Sequence, residues 1–326
     1  MRGLNPLDPY RLNLYVYRLE LFLAQDRNLA DRPDRGAPAP HKPLLLLAVL
    51  DLIEAGEIQV NRIEPSPRLV EAFLRYWNHI GAGYARVFLP FYHLRTAGFW
   101  HLHPRKGQEL VLSSARAFHA MSQLAGTVAY ASLDDDLFTL LLSPQSRECV
   151  RQKIIDAHLA PHRPVIESIV NENREVASVE RKLLRQAERP SAAGGVPESP
   201  IRSAAFRGVM MKLYDYTCAA CRLRIITLDG ASAVDAAHII PFSLSHDDGV
   251  GNGLALCKIH HWAFDNGLVS LDDRYKLIVS DSFDEKGPAA LLLSTLRDKP
   301  VLLPSQKPFR PALHAVRWHR ANRFQA

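Results

Sequence analysis

Apolar residues recur at helical spacing through most of the first 190 positions, and short alternating runs are few. Residues 8–25 predict an amphipathic helix opened by Asp8, with Pro9 in its first turn. A polar, proline-rich stretch over 31–40 predicts a loop. From Pro43 to Gly56 the pattern predicts a helix that is apolar on nearly every side, and Ser66-Pro67 opens another that runs through Trp77. Residues 86–100 suggest a packed strand and turn, and residues 98–113 two short strands around the basic turn 103–108. Helical spacing resumes over 134–159 and 167–186. The stretch 189–200 is Pro, Ser, Ala and Gly with almost no apolar bulk, which predicts a linker. Beyond it come a helix over 204–216, a strand-like run ending at His238, a glycine-rich loop and a helical turn after Cys257. No internal repeat is visible. The expected class is α+β, with a mostly helical N-terminal part carrying a few short strands.

Composition narrows this only a little. An apolar fraction of 47% and a charged fraction of 23% over 326 residues are enough for two cores. The longest apolar run, Leu44 to Leu50, is too short for a bilayer span and stops at Asp51. The N-terminus lacks the apolar segment of a secretory signal, so a soluble, intracellular (cytoplasmic, prokaryotic) protein without a membrane partner is expected. The net charge of +6 is modest, but from Arg297 onward seven Lys/Arg face one acid, with Trp318 and His319 among them. Such a basic tail suits either a phosphate backbone or a solvated helix face.

The cysteines change the picture. Of four, Cys218, Cys221 and Cys257 fall close together, and Cys149 stands apart. In a long chain of intracellular character a C-x-x-C pair followed by C-x-x-H points to metal rather than to disulfides. Cys218, Cys221, Cys257 and His260 are the donors a tetrahedral structural Zn2+ site requires, because each short pair forms one turn and two turns close the site. Interleaved with them are His238 before Pro241, Asn252 after Gly251, and His261 directly after His260. Trp262 and Phe264 are expected to pack the zinc core. His246, Asp247 and Asp248 read as solvated loop, and His314 and His319 as surface or phosphate-facing groups.

The His…Asn…His order inside a C-x2-C…C-x2-H-H frame resembles the HNH nucleases. The run from Asp235 through His238-Ile-Ile-Pro241 to Asn252 and Cys257-x-x-His-His is similar to the HNH domains of McrA-type modification-dependent restriction endonucleases. That resemblance covers about 205–326 and implies a treble-clef-like ββα-metal fold. It implies His238 as general base, Asn252 as the residue fixing the catalytic loop, and His261 as a ligand of a catalytic divalent cation (Mg2+ or Mn2+). Many relatives carry Asp or His before the catalytic histidine, and this chain has Ala237 there. Asp235, three positions back on a strand, points to the other face. Asp265, four residues after His261 on one helical face, is either the second ligand or a loop contact beside Asn266-Gly267.

In the N-terminal half, His41-Lys42-Pro43 opens a helix and could meet a phosphate or form a simple capping turn. His41-Lys42-Pro43-Leu-Leu-Leu-Leu, followed by Leu89-Pro90-Phe91 and Gly98-Phe-Trp100, resembles the sulfur-binding domain of restriction enzymes that recognise phosphorothioated DNA. In that family the sulfur sits in a small apolar cup with a proline wall. The resemblance implies Pro90 as the wall with Leu89 and His93 beside it. It implies His41 and Lys42 on the backbone or bases, and Arg116 completing the cup.

The expected organisation is a reader over 1–165, a helical linker over 166–200 and the nuclease domain with its basic tail over 201–326. The leading expectation is a type IV restriction endonuclease acting on phosphorothioated double-stranded DNA. The alternatives are an HNH endonuclease reading methylated or hydroxymethylated cytosine, whose reader would flip the base into an aromatic cage, and a non-catalytic zinc-stabilised DNA-binding module. Cutting both strands with one HNH site per chain would require a homodimer or two sequential nicks.

Overall fold

The all-round apolar run from Pro43 becomes the centre of the N-terminal core. In the computed structural model it is helix α1 (His41–Glu54), with ten residues from Pro43 to Ile53 buried. The structure describes residues 40–81, 85–115, 118–188, 199–227 and 230–326, together with Tyr10, residues 13–15 and Tyr17, which are helical. The remainder of the 8–25 helix, the loop 31–39, Arg116 and linker residues 189–198 lie outside the described residues. By its internal contacts the chain divides into two units, Met1–Arg174 with Leu228–Gly230, and Glu175–Thr227 with Ala231–Ala326.

In the first unit, Ser66 caps α2 (Pro67–Ile80) through its side chain, which accepts from Leu69 N at 3.3 Å. Then follow α3 (Phe88–His93), β1 (Trp100–Pro104), α4 (Glu109–Ser114), α5 (Met121–Thr127), β2 (Val128–Leu133), α6 (Asp135–Leu142), α7 (Pro144–Ile154) and α8 (Arg163–Glu188). Two expectations change. Residues 86–100 form a helix and turn before the strand, and residues 109–114 are helical rather than a second strand. The partner of β1 is β2, antiparallel, with Trp100 opposite Leu133. The helix expected over 134–159 is interrupted at Ser143-Pro144, where proline cannot continue a helix but readily begins one.

Asp51, the one acid inside the apolar run, sets how α1 meets its neighbours. It accepts from Arg151 Nη1 at 2.5 Å, Tyr76 Oη at 2.5 Å and Asn173 Nδ2 at 2.7 Å, while Arg151 also reaches Glu54 at 2.5 Å. Arg151 is 1% exposed. A buried charge of this kind is tolerated because both Asp51 oxygens and all three Arg151 nitrogens find partners.

The second unit begins within α8, whose Val176 and Leu183 join its core, and continues with α9 (Pro200–Leu213), capped by Ser199. It continues through β3 (Val234–His238), the short α10 (Phe242–Ser245), β4 (Gly253–Cys257), α11 (Lys258–Asp265), β5 (Val269–Leu271), β6 (Leu277–Val279) and α12 (Leu313–Asn322). β3 and β4 pair antiparallel with His238 opposite Gly253 and Val234 opposite Cys257. A side chain at Gly253 would collide with Met210 and Phe206, so glycine there lets α9 pack closely on the hairpin. The β3–β4–α11 succession is the expected ββα unit. No described helix is long and apolar enough to cross a membrane.

Candidate metal centre and nuclease site

The four expected donors converge. Cys218 and Cys221 stand on one tight turn, whose Cys218 N–H donates to Leu223 O at 2.9 Å and whose Ala219 N–H donates to Ala255 O of β4 at 2.7 Å. Arg222 takes a left-handed conformation (φ 66°) to close it. Cys257 ends β4 and caps α11, so His260 falls on the first helical turn. His260 Nδ1 lies 3.0 Å from Cys257 Sγ and 3.6 Å from Cys218 Sγ, and the Cys221 and Cys257 sulfurs are 4.0 Å apart. All four donor atoms lie within 4.8 Å of one another. A tetrahedron built on metal–sulfur bonds of about 2.3 Å needs edges of roughly 3.8 Å, so the cluster could hold a structural metal with little adjustment. Hydrogen bonds from Cys221 and Cys257 hold the Cys218 thiol far below its usual range, while the same contacts push Cys221 far up, so the cluster shares its protons among its members. Although burial opposes it, hydrogen bonds to Cys218 and Cys257 raise His260 to about 9.

His238 ends β3 with its ring stacked on Phe206, centroids 4.1 Å apart and planes 10° from parallel. Its Nε2 lies 2.9 Å from Asp248 Oδ1, and Asp248 Oδ2 lies 3.0 Å from Arg202 Nη2. Asp248 is only 4% exposed, which corrects its reading as solvated loop, whereas His246 is exposed. Spacing gave no signal for Asp248, because two adjacent acids before a glycine carry no periodicity to say which one turns inward. Ala237 is buried on the core side. Asp235, on the face opposite His238, is occupied by Arg207 at 3.1 Å and Lys258 at 3.0 Å.

Asn252, 1% exposed, closes the loop that follows His238. Its Oδ1 accepts from Ile240 N at 2.8 Å, and its Nδ2 donates to Ile240 O and Asp247 O, each at 3.0 Å. Its backbone oxygen accepts from Ile239 N at 2.9 Å. On α11, His261 Nε2 is 3.4 Å from Asp265 Oδ2. Desolvation pushes the Asp265 carboxyl up, against the opposing charges of His261, Arg323 and His238. Asp265 is therefore within electrostatic reach of both imidazoles, and the His261–Asp265 pair offers nitrogen and oxygen donors suited to a divalent cation.

Two neighbours differ from expectation. Trp262 does not pack the zinc core; it is 57% exposed, because the buried stripe of α11 is His260, Ala263 and Phe264. His319 is not at the surface but 2% exposed, stacked on Phe264 at 3.7 Å and hydrogen-bonded to Ser270 Oγ at 2.9 Å and Phe264 O at 3.0 Å. Burial lowers it to about 4. Within the basic tail, Arg317 and Arg320 both pair with Asp273, and Arg297 with Asp281. Part of the tail's positive charge is thus neutralised inside its own unit.

In the first unit, His41 and Lys42 form the first turn of α1. The His41 ring lies against Trp77, centroids 4.1 Å apart, and burial followed by the charge of Arg86 lowers it to about 4. At neutral pH His41 is an uncharged hydrogen-bonding group. Pro90 is buried in α3, with Leu89 and His93 half-buried beside it. Arg86, whose charge reaches His41, begins the turn into α3, with Leu89 N donating to Arg86 O at 3.0 Å. The Arg95 guanidinium covers the Tyr92 ring at 3.6 Å. Tyr92 Oη donates to Ala115 O, next to Arg116, which itself lies outside the described residues.

Residues 218–272 match the family described as HNH endonuclease. Residues 20–168 match the ScoMcrA-like DNA sulfur-binding domain. No curated protein matches the chain. Among solved structures it is similar to a modification-dependent restriction endonuclease, TagI, at 25% identity and a TM-score of 0.30 over 38% of this chain. The chain spans 39% of that protein's length. The chain therefore carries a region that matches a ScoMcrA-like DNA sulfur-binding domain, followed by a region that matches an HNH endonuclease domain.

Proposed function

We propose that this chain is a type IV restriction endonuclease. In this reading residues 1–165 bind phosphorothioated double-stranded DNA, 166–200 connect, and 201–326 hydrolyse phosphodiester bonds near the mark. One observation carries it: a buried Asp248 holds His238 within electrostatic reach of the His261–Asp265 pair, in a chain whose other half matches a sulfur-binding domain.

His238 takes the proton from the attacking water. Asn252 keeps the loop after His238 in register with β4. Cys218, Cys221, Cys257 and His260 would hold Zn2+, which would supply a structural link between the turn, β4 and α11. His261 and Asp265 would hold Mg2+ or Mn2+, which supplies positive charge to the phosphate and the departing 3′ oxygen. On the reading side, Pro90, Leu89 and His93 form an apolar cup. Sulfur, larger and less strongly hydrated than oxygen, is favoured there because desolvating it costs less. His41 and Lys42 hold the backbone or bases, with Arg116 completing the cup. The enzyme acts where cellular DNA is, in the cytoplasm, and cuts both strands as a dimer or by two nicks.

The test is cleavage of phosphorothioated and ordinary plasmid with Mg2+, Mn2+ or EDTA. Cutting of only the modified plasmid, abolished by EDTA, is expected. Equal cutting of both overturns the specificity, and cutting of cytosine-methylated plasmid instead moves it to a base mark. Binding without cutting in any metal would make the chain a non-catalytic module.

A further inference from the structure

We propose that Asp248 is a positioning residue for hydrolysis, fixing the tautomer and orientation of the His238 imidazole, and that Arg202 holds Asp248 in turn. This inference rests on reading His238 as the general base, and it deepens that reading.

Asp248 lies in a loop, yet it is 4% exposed and both of its oxygens are engaged, Oδ1 with His238 Nε2 at 2.9 Å and Oδ2 with Arg202 Nη2 at 3.0 Å. A carboxylate only accepts hydrogen bonds. A neutral imidazole at this distance must therefore carry its proton on Nε2, which leaves the Nδ1 lone pair as its basic site. Stacking on Phe206 at 4.1 Å and 10° sets the plane of the ring. One contact thus fixes the face and the other fixes the proton.

The consequence for the step is specific. A water O–H bond breaks and its proton moves to Nδ1, the hydroxide oxygen bonds to phosphorus, and the P–O3′ bond breaks. The leaving oxygen takes a proton from solvent. His238 then carries a positive charge, and its second N–H already faces the Asp248 carboxylate. Arg202 keeps the second oxygen of that carboxylate paired, which holds the first one facing His238. Arg202 stands one turn into α9, which also supplies Phe206; a single helix therefore sets both restraints on the ring.

The experiment uses the full-length protein. Single-turnover cleavage of phosphorothioated duplex, duplex affinity and bound zinc are measured for the parent, Asp248→Ala, Asp248→Asn, Arg202→Lys, Arg202→Ala and His238→Ala. The His238 tautomer is read from imidazole 15N shifts. Asp248→Ala is expected to lower the cleavage rate at saturating DNA about 100-fold, the scale on which a general base and its orienting partner act. Affinity and zinc content should stay at parental values. The nitrogen shifts should move from one Nε2–H form to a mixture. Arg202→Lys should keep more of the rate than Arg202→Ala, because an ammonium can still pair with Oδ2. Parental rate or an unchanged tautomer in Asp248→Ala overturns the inference. Should that variant not fold, Asp248→Asn preserves volume, and a parental rate and tautomer there overturn it equally. If His238→Ala still cuts, the assignment of the base has failed. If His238→Ala is inactive while Asp248→Ala is fully active, only the positioning role falls.

Discussion

Asn252 engages both ends of its carboxamide in backbone hydrogen bonds, and at 1% exposure no water replaces them. Asn252→Ala strands Ile240 N–H, Ile240 O and Asp247 O, which should destabilise the nuclease unit by about 2–4 kcal/mol. The same change should abolish cutting, since the loop carries Asp248. A urea-unfolding midpoint equal to the parent's would show that the loop does not depend on it. Residues of this kind were only partly legible. The positions of His238 and Asn252 follow from their order inside the cysteine frame. The inward turn of Asp248 does not, because it is decided by loop dihedrals and by Arg202, which lies 46 positions earlier in the chain. Trp262 shows the converse. Aromatic bulk suggested a core residue, but the short α11 has room for one buried stripe, and Trp262 falls off it.

At the scale of elements, the Cys3His cluster gathers three pieces at one point: the Cys218–Cys221 turn, the end of β4 and the start of α11. Its local halves were legible because each pair of donors is separated by one turn of chain. Cys221→Ala should reduce bound zinc from one per chain, as measured by atomic absorption. It should also lower the thermal midpoint of the nuclease unit markedly, since structural zinc contributes on the order of 10 kcal/mol in small metal-dependent folds. Full zinc occupancy in that variant would remove Cys221 from the ligand set. The hairpin of the first unit was not legible in the same way. Residues 98–113 look like two strands and a turn, yet α4 takes the second position and β1 pairs with β2 instead. Strand periodicity reports which face a residue occupies, not which segment lies beside it.

For the whole molecule, each of the two units carries its own core, one gathered on α1 and the other on β4, α9 and the zinc frame. In the proposed reading, recognition and cutting use separate residues. His238→Ala should abolish cleavage and leave affinity for phosphorothioated duplex within about twofold in a gel-shift titration, because His238 belongs to the second unit and the proposed reader residues to the first. A large loss of affinity would mean that the nuclease unit supplies much of the grip. The tail bears on this grip less than its sequence implies, since Arg297, Arg317 and Arg320 are already paired with acids of their own unit.

The amino-acid sequence by itself determined the spacing of the four clustered Cys and His donors, the His–Asn–His order inside it and the burial of α1. Each of these is written in spacing over one or two turns, or in an uninterrupted apolar run. Only the tertiary structure decided that Asp248 and Arg202 stand behind His238, that β2 pairs with β1, and that His319 lies inside the core on Phe264. These depend on groups 10 to 55 residues apart meeting in a packed interior, where burial and partner geometry decide the outcome and local pattern carries no record of it.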